Sequence, residues 1–113
     1  MITRLAGSNP TRSRGVVYDN LVFTVAVASD KVSSYYEQTK QALATIDKSL
    51  AEAGTDKSRI LTAFVYIADM AQKAEMDRAW GEWVDPKNPP MRACLGVTLD
   101  GKDLVEIVVT AAK

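Results

Sequence analysis

Apolar and polar positions alternate in short runs toward both ends of the chain, and in two stretches between them they fall at helical spacing. Gly15 to Tyr18 and Leu21 to Ala28 are apolar runs separated by Asp19-Asn20, a turn-forming pair, which predicts a β-hairpin. From Ser33 to Ala53 the residues Tyr36, Leu43, Ile46, Leu50 and Ala53 form a helical stripe, and Gly54 sits where a left-handed cap is expected. Ile60 to Ala68 reads as a strand with two fairly apolar faces: Leu61, Ala63, Val65 and Ile67 on one, Ile60, Thr62, Phe64 and Tyr66 on the other. Over Ala71 to Val84, the positions of Ala74, Met76, Ala79, Trp80 and Trp83 predict a second helix, which Pro86, Pro89 and Pro90 prevent from continuing. Met91 to Leu99 and Leu104 to Ala111 flank Asp100-Gly101-Lys102 and read as a C-terminal hairpin, while Ile2 to Leu5 is a candidate for a short extra strand.

This order of elements points to a two-layer α+β sandwich with an antiparallel-rich sheet. A length of 113 residues suits a single domain spanning 1–113, and no repeat or linker divides it. Two helices can cover only one sheet face. Phe64, Tyr66 and one side of Leu21 to Ala28 therefore form a second apolar face, expected to be buried against other subunits.

Composition narrows the chemistry. Acidic and basic residues balance at 14 each, so no net charge draws the chain to nucleic acid or anionic lipid. Cys94 is the sole cysteine, which excludes an internal disulfide framework and fits a reducing compartment, with the cytoplasm the expected location. Met1 to Arg14 holds no long apolar run, and no stretch approaches the roughly 20 apolar residues of a membrane span. There is no histidine, so serine-histidine triads, cysteine-histidine dyads and histidine-ligated metal sites are excluded.

The charged residues set within the last two apolar runs are Arg92 and Glu106, and the hairpin register decides whether they meet. A two-residue loop puts Glu106 on the face opposite Arg92 and Cys94. A three-residue loop ending at a left-handed Gly101 pairs Thr98 with Lys102 and sets Cys94 against Glu106. The second register is preferred because it gathers Ala93, Leu95 and Val97 beside Val105, Ile107 and Val109, an apolar surface for the helices. Arg92 then offers a planar fork of donors for a carboxylate, and Glu106 can orient or deprotonate a water. Nothing in the sequence marks the Cys94 thiol as activated. The same pair also suits a structural ion pair at an interface, with Cys94 as packing.

The segment Pro90-Met91-Arg92-Ala93-Cys94-Leu95-Gly96-Val97, followed by Leu104-Val105-Glu106-Ile107, resembles the C-terminal signature of the Rid (YjgF-like, reactive intermediate deaminase) family. Asn20 to Thr24, Glu37-Gln38-Thr39, Gly54 and Val65 to Met70 are similar to other recurrent segments of the family, in order, so the resemblance spans nearly the whole chain. It implies a chorismate-mutase-like α+β fold of the bacillus type, assembled as a homotrimer with small-molecule sites between subunits. It also implies hydrolysis of reactive enamines and imines, such as 2-aminoacrylate and 2-iminobutanoate, to 2-oxo acids and ammonia without cofactor or metal. By the same resemblance Arg92 binds the substrate carboxylate, Cys94 lines the site and Glu106 positions the attacking water.

Three positions depart from the family pattern. Arg12-Ser13-Arg14 replaces a Tyr-Ser-Gln, Val25-Ala26-Val27 replaces a polar Ser-Gly-Gln, and Asp77 stands for an asparagine. Arg12 and Asp77 join the candidate substrate-binding residues, and Arg12 or Arg14 could meet a second anionic group. Trp80 and Trp83 suit either a pocket lining or the core. These departures give weight to an alternative, a non-catalytic trimer that binds or senses a small carboxylate. A nuclease role, attached to some family members, is disfavoured by balanced charge and by the lack of a basic stripe.

Overall fold

A computed structural model describes residues 1 to 113. Local signals set the first helix: α1 runs over Tyr35–Glu52, the Ser34 hydroxyl accepts from the Glu37 amide at 3.0 Å, and Gly54 turns the chain at φ +87°. Strands β1 (Ile2–Ala6), β2 (Ser13–Tyr18) and β3 (Leu21–Val27) precede it, with Asp19 at φ 52° in the β2–β3 turn. After it come β4 (Ile60–Ile67), a 3-10 turn at Met70–Gln72, α2 (Lys73–Trp83), β5 (Met91–Gly96) and β6 (Val105–Ala112).

The six strands form one sheet in the order β1-β2-β3-β6-β4-β5. The predicted C-terminal hairpin is therefore absent, because β4 lies between β5 and β6. It pairs parallel with β5 and antiparallel with β6. A strand apolar on both faces suits the interior of a sheet, whereas β5, flanked by Pro89 and Pro90, suits an edge. The segment between β4 and β5 carries α2, the crossover that a parallel pair requires. Gly101 does adopt the left-handed conformation, at φ +55°, but in the loop joining β5 to β6. That loop is anchored to the end of β4 by Val97 N–H to Ile67 C=O at 3.0 Å and Ala68 N–H to Leu104 C=O at 2.9 Å.

Both helices pack on one face. Leu43, Ile46 and Leu50 of α1 and Met76 of α2 are buried in one core with Val22, Ala26, Ala63, Val65, Ile67, Val105, Ile107 and Val109. Val105, Ile107 and Val109 lie under the helices as predicted, whereas Ala93 and Leu95 do not. A bulge between Ile60 and Thr62 shifts the alternation at the start of β4, so Ile60 is 5% exposed and Leu61 49%. The other sheet face is uncovered and apolar, with Phe23 40%, Phe64 39% and Leu95 40% exposed.

Candidate functional site

Register assigns each predicted site residue to a side of the sheet. Arg92 pairs with Ala63 and Cys94 with Val65, and these β4 partners are buried beneath the helices, so both side chains project to the helical side. There α2 supplies the surroundings of Arg92. Its Nη2 donates to Asp77 Oδ1 at 2.9 Å, its Nη1 lies 3.8 Å from Met76 Sδ, and its guanidinium carbon sits 5.2 Å from the centre of the Trp80 ring. Lys73 Nζ donates to Asp77 Oδ2 at 2.7 Å, one helical turn away.

Asp77 is thus a carboxylate held between two cations. Partial burial raises its pKa, but hydrogen bonds from Lys73 and Arg92, with their charges, outweigh burial and hold the carboxyl below its ordinary range. Burial pushes the Cys94 thiol up despite the nearby Arg92 and Lys73. The thiol is therefore protonated near neutral pH and is not an activated nucleophile.

Glu106 pairs with Val27 of β3 and Tyr66 of β4, on the uncovered face. It opens onto a cleft of about 390 Å³ that it shares with Arg12, Val25, Val27, Asp100 and Asp103. Two loops frame this cleft, and α1 ties them together through a fully buried amide. Gln38 Nε2 donates to Val32 C=O at 2.8 Å and to Lys102 C=O at 3.0 Å, and its Oε1 accepts from Leu104 N–H at 2.9 Å. Lys31 reinforces the junction by donating to Ala28 C=O at 2.7 Å and pairing with Asp103.

Arg92, Cys94 and Asp77 are therefore together on one side of the sheet, and Glu106 and Arg12 are together on the other. The expectation that Arg92 and Glu106 share a face is corrected. The intervening β4 sets Glu106 opposite Tyr66, whose side chain is of the opposite parity to Ala63 and Val65. Arg14 is not in the Glu106 cleft. Its Nε donates to Ala6 C=O and its Nη1 to Ser49 Oγ, each at 2.9 Å, and Nη2 pairs with Glu52, so it tethers the end of α1 to β1. Trp80 packs beneath the guanidinium, and Trp83 donates from Nε1 to Asp47 Oδ2 at 2.9 Å, between the helices. Sequence reasoning missed Lys73, which its i,i+4 spacing to Asp77 could have revealed, and Gln38, which lies at the edge of the buried side of α1, outside the apolar stripe, and carried no signal of its own.

A family model described as "Endoribonuclease L-PSP" matches residues 5–113. A RutC family protein of Haemophilus ducreyi is 47% identical, in a match covering 99% of this chain and 97% of the relative. A crystal structure of a YjgF family member from Neisseria meningitidis is 36% identical and superposes with a TM-score of 0.94, covering 100% of this chain and 95% of that one. The chain belongs to the Rid/YjgF family. The RutC family protein YoaB of Escherichia coli is 35% identical over 86% of this Rid chain and 86% of its own. Yeast Mmf1, at 21% identity, shares the fold with a TM-score of 0.92 over 100% of this chain and 99% of its own. No helix of this Rid protein is long and apolar enough to cross a membrane.

Proposed function

We propose that this Rid family protein is a cofactor-free deaminase. It would hydrolyse reactive enamines and imines of the 2-aminoacrylate and 2-iminobutanoate type to 2-oxo acids and ammonia, as a homotrimer with sites between subunits. The observation that carries the reading is the division of charge. A guanidinium braced by Trp80 and Asp77 lies on one side of the sheet, and a cleft-lining carboxylate lies on the other, next to an uncovered apolar face. Burying that face against other subunits removes apolar area from water, and because β5 is an edge strand its Arg92 can reach past the sheet edge toward a neighbour's Glu106.

The chemistry needs little more. Arg92 takes the substrate carboxylate, which places the adjacent imine carbon in the cleft. Glu106 accepts a proton from a water whose oxygen bonds to that carbon. The imine nitrogen takes up a proton as its π pair withdraws from carbon; the resulting carbinolamine then regains the proton from Glu106 on nitrogen, its carbon–nitrogen bond breaks and its hydroxyl gives a proton to water, leaving ammonia and the 2-oxo acid. An enamine first takes a proton on its terminal carbon. Cys94, un-ionised, lines the site and forms no bond.

The second reading, a trimer that binds a small carboxylate without turning it over, is favoured by the cleft lining, where Arg12, Val25 and Val27 stand beside Glu106. One experiment separates the two. An amino-acid dehydratase generates the imino acid, and 2-oxo acid release is followed with wild type and with Arg92→Ala. Acceleration by wild type, with kcat/KM lowered about 100-fold or more in the variant, supports the deaminase. No acceleration across several imino acids, or an undiminished variant, rejects it, and calorimetric binding without turnover favours the binder.

A further inference from the structure

Asp77 accepts from Arg92 at 2.9 Å and from Lys73 at 2.7 Å, yet its side chain remains 38% exposed. An ionised carboxylate has about four acceptor sites and no donor, so two acceptor sites remain open beside the guanidinium. A ligand carboxylate docking on Arg92 enters next to this second carboxylate. Like charges at that range repel, and the ligand must offset the repulsion with a group Asp77 can use.

We propose that Asp77 sets what the site accepts on the carbon next to the carboxylate: a nitrogen carrying hydrogen, and not an oxygen. This rests on the reading of Arg92 as the carboxylate anchor. In an imino acid or an enamine, the nitrogen is bonded to the carbon that bears the carboxylate. A single ligand can therefore give its carboxylate to Arg92 and an N–H to Asp77. A 2-oxo acid presents only lone pairs at the same position and meets Asp77 with repulsion. The substrate is retained and the product is expelled. An asparagine at this position could donate or accept and would discriminate far less. Lys73 acts through Asp77: pairing with the other oxygen, it holds the carboxylate on the side of Arg92.

Two stable probes test the selectivity without turnover. 2-Aminobutanoate carries N–H donors on that carbon and 2-oxobutanoate carries an oxygen. Calorimetry is run on wild type, Asp77→Asn and Arg92→Ala, with folding checked by circular dichroism and Asp77→Ser kept as a second variant should Asp77→Asn not fold. Wild type is expected to bind the amino acid about tenfold or more tighter than the oxo acid. Asp77→Asn should bring the two within about threefold, chiefly by tightening the oxo acid, and should sharpen product inhibition correspondingly. If the ratio is unchanged in Asp77→Asn while Arg92→Ala weakens both probes, the anchor stands and the role of Asp77 falls. If wild type binds neither probe, the anchor itself falls, and this inference with it.

Discussion

Arg92 is fixed by three neighbours, the carboxylate of Asp77, the thioether of Met76 and the face of Trp80, all from α2. The ion pair links the site to pH. Asp77 has a folded pKa below its unfolded value, so its stabilising contribution is present above the unfolded pKa, about 3.9, and is lost as pH falls through the folded pKa. Urea denaturation should therefore show the stability gap between wild type and Asp77→Asn shrinking as pH drops below about 4, from under about 1 kcal/mol because the group is partly solvated. Gln38 offers a larger effect. Gln38→Leu would leave Leu104 N–H and the Val32 and Lys102 carbonyls without their side-chain partner, an expected loss of about 2–4 kcal/mol in urea melts. Arg92 and Glu106 were legible as candidates because each interrupts an apolar run. The partnership of Arg92 with Asp77 was not, because it depends on how α2 crosses the sheet.

At the scale of elements, caps and turns were readable because they are set by neighbours in sequence. Gly54, Asp19-Asn20 and Gly101 all play the parts their residue types allow, whereas the cap at Ser34 emerged only with the structure. Ser34→Ala should cost about 1 kcal/mol, checked by thermal melting, since the Glu37 amide loses its acceptor. At its other end α1 has no basic residue in its last turn, and Arg14 arrives from β2 to meet Ser49 and Glu52 instead. Strand pairing was less legible. The alternation in β6 identified its buried side correctly, but sequence proximity suggested a β5–β6 hairpin, whereas β4, apolar on both faces, takes the interior position. That one insertion moved Arg92 and Glu106 to opposite sides of the sheet.

At the scale of the whole molecule, the proposed function turns on what covers the uncovered apolar face. Phe64 lies on this face in β4, paired with Val108 of β6 and Ala93 of β5. Phe64→Lys should leave a folded monomer in analytical ultracentrifugation and bring deaminase activity to background, because charges on that face oppose its burial. The central claim is that Arg92 of one subunit and Glu106 of another serve the same substrate. Subunit mixing tests it most directly: Arg92→Ala and Glu106→Gln are each assayed alone, then unfolded together and refolded at equal amounts. Each alone should be at background, and the mixture should recover roughly a quarter of wild-type activity, the share of clefts that random closed rings leave intact. A mixture that has exchanged subunits yet stays at background would contradict the account.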